Sequence, residues 1–475
     1  MFLTSLVTTH KKQLIVFLLV FVTLITFSPV LNSQFLSYKD DVFVTNNPEV
    51  LTFDLSHLLA AFKKRVDGIY TPVSTIWMSL ERVAVGLNPF VFHANSLLLH
   101  LGVVVLVFYW SGYLGFSLIE SFLCALLFAV FPSQVETVAW LSARKEIIGA
   151  VFLMAALYFF QHKKTRLSYF CALLAMLSTP QAILLPLFLI LIDWFQLRKL
   201  KILDKWVYLL LAIIFILINF KAGLSLVFNI QNRQYLFLEH LSYIPILALA
   251  LFFTKGISRL LVFFKTQERI IQQLFIVALG VFFIGLMLLT YTQCSYWKNA
   301  ETLWRFKLKS SKQAFVYNKL AQALEENKKT DSSVERINLY KKAIELEPRY
   351  LLSYRNIAGV YEQLGKLDDA LLYVNKGLDI DGRSKELLFF LFSLYQQMNK
   401  PLLVVESFNR LLKVDPDDEQ VYIQVIKTYG QAIEQNPEEK IYQEQREQVL
   451  SDYELLSKRK KYTFVEYYNL GFLYE

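Results

Sequence analysis

Apolar segments long enough to cross a bilayer recur from Leu14 to Tyr291, and no soluble core accommodates so many of them in series. A span needs about 20 apolar residues, fewer where the helix is short or broken. Candidates fall at 13–31, 93–113, 117–131, 146–161, 167–178, 181–197, 206–221, 235–254 and 270–291. Beyond Trp297 the sequence changes character, becoming charged and periodic. The expected architecture is therefore all-α in two parts: a polytopic helix bundle of about nine spans over residues 1–297, then a helical repeat domain over 298–475.

Charge sets the expected orientation. Residues 1–297 carry 22 Lys and Arg against 13 Asp and Glu, the whole of the net charge of +9, whereas residues 298–475 are balanced at 27 each. With nine spans and the N-terminus inside, segments 10–12, 162–166, 198–205 and 255–269 are cytoplasmic and hold 13 basic residues against Asp204 and Glu268. The outer loops hold nine of each sign, so the positive-inside asymmetry places the first outer loop (32–92) and everything after Trp297 on the extracytoplasmic side. A basic balance with this distribution reports topology and gives no reason to expect a nucleic-acid partner. Lys11-Lys12 before the run Leu14–Leu31, with no small-x-small cleavage site, reads as an uncleaved anchor. The amphipathic stretch Thr71–Leu87, with Glu81-Arg82 at its centre, reads as an interfacial helix. Cys124, Cys171 and Cys294 lack metal-ligand spacing, so no metal site and no disulfide framework is expected.

In the tail, Pro348, Gly382 and Pro416 are spaced 34 residues apart, each ending a helix. Tyr354/Leu388, Ile357/Leu391, Tyr361/Tyr395 and Val374/Phe408 recur at the same offset, and Gly365 marks a turn between two helices. This is the tetratricopeptide pattern, in which paired helices stack into an α-solenoid. An earlier unit from Ala314 carries about three extra residues around Lys328–Asp331, a later one starts near Glu419, and Phe464–Glu475 matches half of another repeat. Such arrays bind extended peptides along the first helix of each pair. Asn318, Arg355, Asn356 and Gln396 are the expected groove residues.

The chemistry is expected in the first outer loop, where Asp40 and Asp41 stand side by side. A positioned carboxylate can take a proton from an acceptor hydroxyl, although an acidic pair in a loop is also a common solvated turn. Arg144 and Lys145, at the outer start of the fourth span, could meet a phosphate or simply snorkel to the interface. His93 and His100 share a helical face and suit packed, hydrogen-bonded histidines as well as donor binding.

Several blocks together give the chain a likeness to a known family. These are Tyr38-Lys39-Asp40-Asp41 with Asn46-Asn47-Pro48, Tyr70-x-Pro72, Gly86-Leu87-Asn88-Pro89, His93-x-Asn95, Pro132-x-Gln134-x-Glu136, and Ala143-Arg144-Lys145-Glu146. They continue with Leu177-Ser178-x-Pro180-Gln181, Asp193-Trp194, Glu239 with Tyr243 and Pro245, and Trp297 with Glu301-Thr302-Leu303. In this order, and fused to repeats, they resemble the transmembrane and tetratricopeptide-repeat (TMTC-type) glycosyltransferases of the GT-C fold, and a bacterial relative in particular.

The resemblance implies transfer of a sugar, mannose-like, from a polyprenyl-phosphate carrier to a Ser or Thr hydroxyl of proteins recruited by the repeats, with no tightly bound cofactor. It implies a catalytic role for Asp40 and Asp41, donor-phosphate binding by Arg144 and Lys145, and supporting roles for Glu136, Glu146, His93, Gln181 and Glu239. The partners are then the lipid bilayer, the lipid-linked sugar and protein acceptors. The compartment is a bacterial cytoplasmic membrane, or the endoplasmic reticulum membrane in a eukaryote. The chain departs from the family pattern at Thr71, Phe131, Thr179 and His240, and three of these replace a permanent cation. A non-catalytic membrane scaffold for assembling extracytoplasmic proteins is the alternative expectation.

Overall fold

The structure, a computed structural model, describes residues 2–196, 205–230, 239–326, 332–417, 419–435, 438 and 440–460. The basic residues Arg198, Lys199 and Lys201, the insertion at Lys328–Asp331 and the half repeat Phe464–Glu475 lie outside the described residues. The protein is all-α: among the described residues the only β feature is an isolated bridge between Val66 and Ile69. The chain divides into two compact units, Met1–Leu303 and Trp304–Glu475, where composition alone drew the line after Trp297.

The first unit begins with α1 (Phe2–Phe27) and a long loop holding α2 (Pro48–Leu51), α3 (Leu55–Lys63) and α4 (Pro72–Val85). Then follow α5 (Pro89–Tyr113), α6 (Leu118–Val130), α7 (Gln134–Ala139), α8 (Arg144–Gln161), α9 (Thr165–Ser178), α10 (Leu185–Phe195), α11 (Trp206–Ile230), α12 (Pro245–Phe264) and α13 (Arg269–Tyr296). Their starts are written locally. Proline occupies the first turn of α4, α5 and α12, where its missing N–H costs nothing. Asn88 caps α5, and Ser117 with Glu120 forms a reciprocal capping box on α6.

Among the described residues, four helical stretches are long and apolar enough to cross a membrane alone: His10–Asn32, Pro89–Tyr113, Pro245–Phe264 and Arg269–Tyr296. The other expected spans coincide with shorter apolar helices, or with α8, whose first turn is charged. The expected span 235–254 is corrected to Pro245–Phe264. Pro245 fixes the helix start ten residues later, and Lys255 joins the helix with its ammonium paired to Glu120 and lying over Phe116. Asp193, at the far end of α10, pairs with Lys205.

The amphipathic helix α4 has an orientation that its pattern did not disclose. Its charged centre faces protein, with Glu81 buried, while Leu80 and Val83 are exposed. Apolar side chains thus turn outward, as a helix lying against lipid requires.

The second unit continues from α14 (Ala300–Ser310) into α15 (Ala314–Glu326), α16 (Ser333–Leu346), α17 (Leu351–Gln363), α18 (Leu367–Ile380), α19 (Lys385–Gln397), α20 (Pro401–Val414), α21 (Glu419–Gln435) and α22 (Lys440–Lys460). The starts of α17, α19 and α21 repeat every 34 residues, as do those of α16, α18 and α20. Gly365 adopts φ +71° at the turn between α17 and α18, where an L side chain would be strained. Gly377 has a different reason: a Cβ there would stand 2.7 Å from Leu387 and 3.2 Å from Tyr354, so the small residue lets three helices meet. Of the eight recurring positions, Tyr354, Ile357, Val374, Leu388, Leu391 and Phe408 are buried, and Tyr361 and Tyr395 are half-buried.

Two of the expected groove residues are corrected. Asn318 and Asn356 are buried, the Asn318 amide donating to Ser353 Oγ (2.9 Å) and the Asn356 amide to Asn318 Oδ1 (3.2 Å). They tie α15 to α17 rather than facing a ligand. Arg355 and Gln396 are exposed as expected. Arg355 lies over Phe390 at the edge of a cavity of about 640 Å³ that also includes Leu352, Ser384, Glu386 and Phe389. Asn318→Ala should orphan two buried polar groups and lower the stability of the repeat unit by about 1–3 kcal/mol, read as a shift of the denaturation midpoint. An unchanged midpoint would mean that water replaces the amide at no cost.

Candidate functional site

The first loop reaches Asp40 through Lys39, a non-glycine residue at φ +66°, whose ammonium pairs with Asp67. Left-handed backbone at a lysine costs of order 1–3 kcal/mol, and such positions concentrate at functional sites. Directly after it, Asp41–Thr45 forms a single π-helical turn closed by the Asn46 N–H on the Asp41 carbonyl (2.8 Å). The end of that turn is held from α4: Arg82 Nη1 donates to the carbonyls of Val44 (3.1 Å) and Thr45 (2.7 Å). The Asn-Asn-Pro block has a plain mechanical role. Asn47 caps α2 through the Glu49 N–H, and Pro48 opens the helix.

Within this loop the two aspartates part company. Asp40 is 1% exposed, and its carboxylate accepts from the Leu36 N–H (3.0 Å), the Ser142 N–H (3.0 Å) and the Ser142 hydroxyl (2.6 Å). Burial raises its pKa to about 6 despite these bonds. The expectation of a solvated acidic pair is therefore corrected for Asp40, which latches the first loop to the turn between α7 and α8. The same latch is reinforced by Trp140, whose Nε1–H donates to the Tyr38 carbonyl (3.0 Å) and whose ring stacks on Tyr38 and Trp297. Asp41 is half-buried, and its carboxylate has no hydrogen-bond or ion-pair partner among the described residues.

A similar division separates Arg144 from Lys145. Arg144 is fully buried; its guanidinium pairs with Glu81 and donates to Ser96 Oγ (2.8 Å) and to the Phe92 carbonyl. Burial pushes the Glu81 carboxyl up, against the pull of that guanidinium. The expected phosphate-binding role of Arg144 is corrected on this geometry, because its charge and its donors are already matched inside the protein. Lys145 is buried too, but its Nζ bonds only the Ser142 carbonyl (3.2 Å), lies over the Phe43 ring at 4.7 Å, and forms no ion pair among the described residues. Phe43 belongs to the same π turn as Asp41. The turn thus carries an unengaged carboxylate and meets, through Phe43, an ammonium that bonds no carboxylate directly and is offset by the neighbouring Glu146.

The supporting residues form the wall. Glu136 is buried and accepts from His240 at both the backbone N–H (3.3 Å) and ring Nδ1. Glu146 accepts from the Thr179 hydroxyl, and Thr179 packs so closely on α8 that only glycine fits at 149. Gln181 bridges to the loop before α12, donating to the His240 carbonyl (2.8 Å) and accepting from the Ile244 N–H (3.3 Å). His93 is buried beside the Gln34 backbone. The side chain of Glu239 lies outside the described residues. His100 is a packed histidine, bonded to Tyr243 Oη (2.7 Å) and the Ala129 carbonyl (3.3 Å).

Two of the departures from the family pattern thus have local meaning. Thr179 and His240 each bond a buried carboxylate, with a hydroxyl and an imidazole standing where the pattern has cations. Sequence reading missed Glu81, Ser96 and Ser142. No motif spacing singles out a serine, and Glu81 looked like a surface charge.

No family model matches the chain. Protein O-mannosyl-transferase TMTC1 of Homo sapiens is 32% identical over 88 residues, 18% of this chain and 10% of that protein. The Mus musculus TMTC1 is 31% identical over 93 residues, 19% of this chain and 10% of that protein. Protein O-mannosyl-transferase TMTC2 of Homo sapiens is 32% identical over 98 residues, 20% of this chain and 12% of that protein. The matches therefore span about a tenth of the length of these relatives. Among solved structures, two crystal structures of MamA align at TM-scores of 0.27 and 0.29 with 12% and 13% identity, covering 33% and 36% of this chain and 81% and 94% of theirs.

Proposed function

We propose that the chain is an integral-membrane glycosyltransferase that moves a mannose-like sugar from a polyprenyl-phosphate donor to a Ser or Thr hydroxyl of proteins bound by its repeats. The observation that carries this reading is the unengaged Asp41 carboxylate on a π turn whose Phe43 ring lies under the Lys145 ammonium of α8. Asp41 takes the proton of the acceptor hydroxyl as its oxygen bonds to the sugar C1. The C1–O bond to phosphate breaks, and Lys145 meets the charge left on the departing polyprenyl phosphate. Asp40 holds the loop in place and takes no part in the proton transfer. The partial likeness to protein O-mannosyl-transferases supports the choice of sugar and acceptor. Loop charge supports an extracytoplasmic site, on the same side as the repeats. The exposed Arg355 edge of the repeat cavity suits an extended acceptor segment.

A non-catalytic scaffold is the second reading, favoured by the replacement of two cations at Thr179 and His240. One experiment separates them. The purified full-length chain is extracted for co-purifying lipid, then given polyprenyl-phosphate mannose and a Ser/Thr-rich protein acceptor. A bound polyprenyl phosphate, with mannose appearing on the acceptor, is the expected result. Absence of both the lipid and the transfer would leave the scaffold.

A further inference from the structure

At the opposite end of the membrane unit from Asp41 lies a cavity of about 490 Å³ that the proposed reaction does not use. It is walled by the ends of α5 and α8, the start of α6 and Lys12 of α1, roughly 25 Å along α8 from Arg144 at 1.5 Å per residue. Its size falls in the range of about 300–1,000 Å³ typical of small-molecule sites.

Three buried polar atoms in its lining have no hydrogen-bond partner: Trp110 Nε1, Ser121 Oγ and Gln161 Nε2. Trp110 is 4% exposed and Ser121 2%. Native proteins leave few buried donors unmatched, so three around one cavity point to an absent ligand. All three can donate, and the indole and the amide nitrogen can do nothing else. Lys12 adds a cation, His162 packs at a tilt between Tyr113 and Tyr158, and no carboxylate lines the space among the described residues. The lining therefore selects an acceptor-rich anion.

We infer that this cavity binds the phosphodiester headgroup of an anionic phospholipid. A lipid is favoured over a soluble phosphate by position. Lys12 and Gln161 stand where apolar runs end, Leu106 and Met154 continue the wall into the apolar bundle, and exposed Tyr109, Tyr113 and Tyr158 form the aromatic belt of an interface. The loop charges assign this end to the cytoplasmic leaflet, where anionic lipids gather.

The test uses the full-length chain in neutral detergent, titrated by native mass spectrometry with phosphatidylglycerol, phosphatidylcholine and glycerol 3-phosphate. Phosphatidylglycerol should bind at least tenfold more tightly than phosphatidylcholine, and glycerol 3-phosphate more weakly than either lipid. Trp110→Phe and Gln161→Met, which keep shape and remove donors, should each weaken phosphatidylglycerol roughly tenfold. Lys12→Gln, at an exposed residue whose loss cannot unfold the bundle, should weaken it as well. Equal binding of the two lipids, or wild-type binding by all three variants, overturns the site. Glycerol 3-phosphate binding as tightly as the lipid overturns the lipid assignment.

Discussion

Asp41→Asn should reduce sugar transfer by about 10²–10⁴-fold, the range for removing a general base, while leaving the fold intact. The change is nearly isosteric, and the carboxylate it removes holds no other group in place. Asp40→Asn should behave differently although it alters the neighbouring residue. Asp40 has a pKa raised from 3.8 to about 6 in the folded protein. A raised carboxyl favours the protonated native state, so its stabilising contribution is complete below pH 4 and is lost as pH rises through 6. The two values are about 2.2 units apart, so wild type should lose about 3 kcal/mol of stability across that window through this group. Asp40→Asn should abolish that slope. It should also turn an amide toward the Leu36 or Ser142 N–H, loosening the loop that carries Asp41. Denaturation midpoints of wild type and both variants between pH 4 and 7, beside transfer rates, decide the assignment. If the roles came out reversed, with the slope lost in Asp41→Asn, the base would have to be Asp40.

What the sequence made legible follows from the physics of each element. Span positions and the repeat period are written in residue types that recur at fixed intervals, and α17 to α21 fall where Pro348, Gly382 and Pro416 place them. The acidic pair was legible as a pair, but its division was not. Only the tertiary contact with Ser142, about a hundred positions along the chain, decides which carboxylate is engaged. The same holds for Arg144, whose partner lies on a helix that by pattern looked like a surface element. Asn318 and Asn356 show the converse: polar residues on the expected groove face were bonded to each other. Periodicity locates a face; it does not say whether its polar groups have already found partners.

The second large effect is expected at Glu81 and Arg144. Arg144→Ala leaves a buried carboxylate without its cation, and breaking a buried pair in this way costs about 3–5 kcal/mol. The bundle should be destabilised strongly, and transfer should disappear with it. Because the ion pair itself contributes little net stability once desolvation is counted, removing both charges should be far milder. The double change Glu81→Gln with Arg144→Met should recover most of the lost stability. Lys145→Met should be milder, since Lys145 forms no direct ion pair among the described residues and Glu146, whose buried charge it offsets, keeps its bond from the Thr179 hydroxyl. Its midpoint should stay near wild type while the KM for a polyprenyl-phosphate donor rises and kcat falls. Thermal midpoints and donor kinetics on the three variants measure both claims. A stable Arg144→Ala protein with weakened donor binding would return the phosphate to Arg144 and take it from Lys145.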